Sequence, residues 1–168
     1  MAAPSITWWD ETSTTQLASW PIGVIDAGSV SGVKEFHIWN NKGGLPTNPI
    51  SDAVNCFVTT KDTAGGNGAG TTAADLIAGL WLNACCLSAG KNPALPTDWV
   101  AVGGDIHAEV RGGGAAAATP GLLRGIDNDG TIANSEANFV KVQAKVLVPS
   151  TAMPGRVDFL FRFGYQYV

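Results

Sequence analysis

Along this sequence, apolar side chains return at every second position rather than every third or fourth, and that period belongs to β-strands. It is plainest over residues 138–149, where Val140, Val142, Ala144 and Val146 alternate with Phe139, Lys141, Gln143 and Lys145. The valine set has a core to face, and Pro149 ends the ladder because it has no N–H to give. Met153, Pro154 and Gly155 then make a turn, and residues 156–168 return as a long final strand. The two segments read as one hairpin.

The same period runs through the first half. Residues 5–9 form a short aromatic strand, and residues 20–28 a second extended segment that stops at a glycine turn. Residues 33–40 form the next strand, with Lys34, Phe36 and Ile38 on one face and Val33, Glu35, His37 and Trp39 on the other. It runs into Asn40-Asn41-Lys42-Gly43-Gly44, residue types that tolerate the left-handed backbone of a sharp reversal. Residues 55–61 make a further strand, closed by Asp62 and the glycine-rich stretch 65–70. Residues 71–87 fit two patterns: a helix over 73–82 capped by Thr71 or Thr72, or a loop followed by a strand over 79–86. The β period on both sides favours loop then strand. Residues 99–104 and 105–111 read as paired short segments, 112–118 as an exposed Gly/Ala loop, and 125–130 as a turn. Strands at regular spacing predict an all-β sandwich or barrel. The length fits one domain over residues 1–168, with 1–12 as a candidate N-terminal arm.

Charge narrows what such a domain does. Only 14% of residues are charged, against roughly 25% in ordinary soluble domains. Much of the surface is therefore neutral, which suits burial against partners. The net charge is −4 with no Lys/Arg cluster, so nucleic-acid binding has no support. There is no apolar run of about 18 residues to span a membrane. Residues 1–10 lack the basic and hydrophobic regions of a signal peptide. Three cysteines, Cys56, Cys85 and Cys86, are too few and too oddly spaced for a disulfide framework. They read as small buried hydrophobes of a reduced compartment.

Two stretches carry a resemblance. The run Trp20-Pro-Ile-Gly-Val-Ile-Asp-Ala-Gly-Ser-Val-Ser-Gly-Val-Lys-Glu-Phe-His-Ile-Trp-Asn-Asn-Lys-Gly-Gly resembles the start of immunoglobulin-like domains, and Val146-Leu-Val-Pro-Ser-Thr-Ala-Met-Pro-Gly-Arg-Val-Asp-Phe resembles their closing hairpin. The implied fold is an immunoglobulin-like β-sandwich with Gly/Ala-rich loop insertions. The chain as a whole looks like small structural proteins of tailed bacteriophages. The features that carry this likeness are a Trp-rich start, the Ile38-Trp-Asn-Asn-Lys-Gly-Gly segment and the final Phe161-Arg-Phe-Gly-Tyr-Gln-Tyr-Val. That resemblance implies a capsid decoration (cement) protein, or else a tail or baseplate accessory. Its partners would be the major capsid protein or other virion proteins, and its place the virion, assembled in the host cytoplasm. A homo-oligomer without cofactors is expected.

No catalytic constellation stands out. Asp105 and His107 share a strand face but lack a third metal ligand. Asp127-Asn128-Asp129-Gly130 begins like a calcium loop, yet its twelfth position is Asn138, and Glu136 comes two residues earlier. The glycines of 65–70 are not followed by Lys-Ser/Thr, so they make no phosphate loop. The chain is expected not to be an enzyme. Six tryptophans remain: Trp8, Trp9, Trp20, Trp39, Trp81 and Trp99. They divide between core and subunit contacts, with glycan stacking in a carbohydrate-binding module as the alternative. Trp8 and Trp9 must face opposite ways, one buried and one not. Candidate interface residues are Trp8, Trp9, Trp20, Trp39, Arg162, Tyr165 and Tyr167.

Overall fold

The computed structural model describes residues 1–46 and 50–167, so Val168, the last residue of the expected final strand, lies outside the described residues. The strands are β1 (Ile6–Trp9), β2 (Lys34–Asn40), β3 (Val54–Asp62), β4 (Leu82–Cys86), β5 (Val100–Val102), β6 (Ala108–Glu109), β7 (Phe139–Val146) and β8 (Phe159–Gln166). A short helix, α1 (Ala74–Ala78), precedes β4. The strands form two antiparallel sheets, ordered β1-β2-β7-β4-β5 and β6-β3-β8. This is the expected all-β sandwich.

Alternation determines which side chains meet between the sheets. In the larger sheet Phe36 pairs with Val142, Ile38 with Val140, and Leu82 with Val146. All six are buried, and they pack against Cys56, Val58 and Val110 from the other sheet's side of the core. The opposite face of β2 is covered as well. His37 and Trp39 point away from the inter-sheet core, yet both are buried, because residues 10–15 and Phe139 close over them.

Several expectations need correction. Residues 138–149 and 156–168 do not form a hairpin. β7 already pairs with β2 on one side and β4 on the other, so it has no edge left for β8. The chain crosses to the second sheet, where β8 pairs with β3. In an immunoglobulin domain the last two strands are sheet partners; here they lie in opposite sheets.

The middle holds both of the patterns that competed there. Residues 74–78 are helical, Thr71 Oγ1 accepts a hydrogen bond from the Ala73 N–H, and the strand starts only at Leu82. Leu76 and Ile77 are buried, and that burial gives so short a helix its stability. Residues 99–104 and 105–111 are not a strand pair either. β5 joins β4 and β6 joins β3, and a tight turn with mutual Gly103–Ile106 backbone hydrogen bonds carries the chain from one sheet to the other. The Gly/Ala loop is only partly exposed, with Gly112 and Ala116 buried. Residues 20–28 are extended but join no sheet as a strand. The candidate arm, residues 1–12, lies along its own chain: β1 pairs with β2, and Ala2 bridges Ile50. The reversal after β2 is as expected, with Asn41 at φ 61° and Gly43 at φ 68°.

Candidate interaction edge

β1 and β8 are the outermost strands of their sheets on one flank of the sandwich. Their inward rings are partly buried, and they pack on each other. Trp8 meets Phe36 edge-on at 5.6 Å and Phe161 at 5.4 Å, while Trp20 meets Phe36 at 5.2 Å. The row continues along β8, with Phe163 5.7 Å from Tyr165 and Tyr165 6.3 Å from Tyr167. A shallow cleft of about 450 Å³ runs beside this edge, lined by Trp8, Thr63, Phe161, Arg162 and Phe163 among others. Arg162 is exposed in the middle of β8. Arg111, Arg124 and Arg156 each have a carboxylate partner, and among the described residues Arg162 has none.

The flank thus collects Trp8, Trp20, Arg162, Tyr165 and Tyr167 from the expected interface set. Trp9 leaves β1 on the other face, 4.2 Å from the Lys42 ammonium, and Trp39 is fully buried against Phe139. Trp39 therefore belongs to the core. Trp8 and Trp9 do face opposite ways, but both are half-buried rather than one in and one out. Trp99 lies under Lys145 at 3.9 Å, and Trp81 lines a larger cleft of about 770 Å³ with Asp75, Gly79 and Leu147. None of the six indoles is fully exposed.

The polar motifs resolve into local structure. His107 Nδ1 lies 3.2 Å from the Asp105 carbonyl, and its ring packs on Phe57. Among the described residues no group of three or more His, Cys, Asp or Glu side chains could hold a metal. Asp129 turns back on its own loop, where the Thr131 hydroxyl and the Asn134 amide hold its carboxyl well below the usual range. Asp62 closes the glycine-rich loop by accepting N–H groups from Ala64, Gly66 and Gly68. The three cysteines are free and buried, and burial pushes the Cys56 thiol up to about 12.

One constellation was not visible in the sequence. Ser13 Oγ lies 2.7 Å from His37 Nδ1, and His37 Nε2 lies 3.2 Å from Glu35 Oε1. Glu35 accepts only, so Nε2 carries the proton and Nδ1 accepts from the Ser13 hydroxyl. A serine, a histidine and a carboxylate in a row are the parts of a nucleophilic site. Here the serine is 5% exposed, its oxygen also accepts the Trp39 Nε1–H at 2.9 Å, and neither cleft reaches it. The row fastens residues 10–15 onto β2. Ser13 and His37 are separated by 24 positions, and no spacing rule joins a turn serine to a strand histidine. Comparison of the chain with known protein families, with curated proteins and with solved structures finds no match.

Proposed function

We propose that this chain is a virion structural protein, a capsid decoration (cement) protein that binds neighbouring copies and the shell of a tailed phage. The observation that carries the reading is the β1/β8 flank: half-buried aromatic rings, an arginine with no carboxylate partner among the described residues, and an open strand edge gathered on one side. Aromatic and arginine anchors of this kind are enriched where proteins bind one another. The low charge of the whole chain and the likeness of its ends to phage structural proteins support the same reading. Binding the assembled shell but not its separate subunits would stabilise the shell by mass action, and many symmetric copies would multiply modest contacts. The surface offered for assembly contacts is the β1/β8 flank, to which residues 1–12 contribute from within the fold instead of reaching out as an arm.

Cryo-electron microscopy of phage particles purified from cells that produce the chain tests this. Density repeated over the capsid lattice is the expected result. Density confined to the tail would move the role to a tail or baseplate accessory. Particles lacking the chain altogether would end the virion reading.

A further inference from the structure

We infer that β8 is the seam of a two-fold dimer, in which the free edges of two copies pair antiparallel about Phe163. This names a partner for the flank described above and rests on its reading as an interface. The direction of the β8 backbone follows from β3. The Cys56 and Thr60 carbonyls accept from Val110 and Gly104, on the side away from β8. The alternate residues Phe57, Thr59 and Lys61 therefore turn their backbone groups toward Gly164, Arg162 and Leu160. Phe159, Phe161, Phe163 and Tyr165 must then present their N–H and C=O groups to the open side. Among the described residues none of those groups has a partner. The strand carries neither proline nor bulge between Phe159 and Gly164, and only one charge, so little blunts this edge.

A second copy fits because the edge complements itself. Antiparallel pairing about Phe163 overlaps the whole stretch 159–167, setting Phe163 against Phe163, Phe161 against Tyr165, and Arg162 against Gly164 of the other copy. A two-fold about Arg162 would instead oppose two unpaired guanidiniums, which is repulsive. The Gly164 position is also occupied in a useful way, since the Phe57 ring lies where a side chain would be. Arg162 of each copy thus comes beside the Phe57 ring of the other, within reach of a cation–π contact. The three central backbone pairs exchange about six hydrogen bonds.

Sedimentation equilibrium of the full-length chain over a concentration series, with amide hydrogen exchange on the same samples, tests the proposal. A dimer is expected, and its formation slows exchange at Phe161, Phe163 and Tyr165. The amides of Leu160, Arg162 and Gly164, already bonded to β3, are slow at every concentration. Arg162→Ala weakens the dimer about fivefold. A monomer at all concentrations overturns the inference, as does a dimer in which the three outward amides stay fast. Protection of these amides only on adding isolated shells would give the edge to a shell strand and also overturn it. A dimer absent from virus particles would leave this inference standing and defeat the function proposed above; a monomer that still decorates shells would do the reverse.

Discussion

Ser13 has a left-handed backbone, φ 57°, and a hydroxyl shared between Trp39 and His37. Its replacement by alanine leaves a buried indole N–H and a buried imidazole nitrogen without partners. Ser13→Ala should therefore cost about 1–3 kcal/mol, read as a lower urea midpoint with an unchanged slope. His37 makes the same region sensitive to acid. Burial lowers its pKa below the ordinary 6.5, with Glu35 opposing the shift. The unfolded chain then binds the proton more readily than the folded one, so this contribution is complete above 6.5 and is lost as pH falls below it. Urea midpoints should be lower at about pH 5.5 than at about pH 7.5, and His37→Gln should remove the difference. An undiminished difference in that variant would assign the effect to another group. Asp62 and Asp105, held below their ordinary 3.8, act in the same direction but only in stronger acid, their stabilisation failing as pH drops beneath that value. At this scale the sequence was legible in part. The face shared by Glu35, His37 and Trp39 follows from alternation, whereas Ser13 reaches it only because a loop folds back.

Gly103 shows how the elements constrain one another. A Cβ there would run into the main-chain carbonyl of Ile77 in α1, because the β5–β6 turn passes directly against the helix. Backbone cannot swing aside as a flexible side chain can, so Gly103→Ala should destabilise by about 1–3 kcal/mol. Gly32 has nothing within 4 Å and no left-handed backbone, and Gly32→Ala should be neutral or slightly stabilising by the same urea titration. Equal effects at the two sites would refute the packing argument. The elements themselves were mostly readable, since β2, β3 and β7 follow the alternation within one to three residues. Their partners were not. Neighbouring segments were expected to pair, but β7 is the centre of its sheet and β5 and β6 part company. Period identifies a strand; its neighbours depend on which edges remain open once the others have formed.

On the scale of the whole molecule, the three cysteines report cooperative opening. All are buried, with Cys85 fully so and Cys56 1% exposed. Iodoacetamide should leave all three unmodified in the native protein and label them together across the urea transition, followed by mass spectrometry. Labelling of one before the others would show that part of the sandwich opens separately. The candidate site belongs to this scale too. Trp8, Trp20, Arg162 and Tyr165 could each be singled out by residue type, but nothing in their spacing says that the first strand and the last lie side by side. By itself the sequence determined that the chain is all-β, where most strands run and which of their faces are apolar. Those are local properties, written in alternation and in turn residues. The tertiary structure alone decided which strands became edges, and hence that aromatic rings from the two ends of the chain share one flank while Trp39 is sealed inside. Edges are what remains after pairing, and pairing is settled by competition among all the strands together.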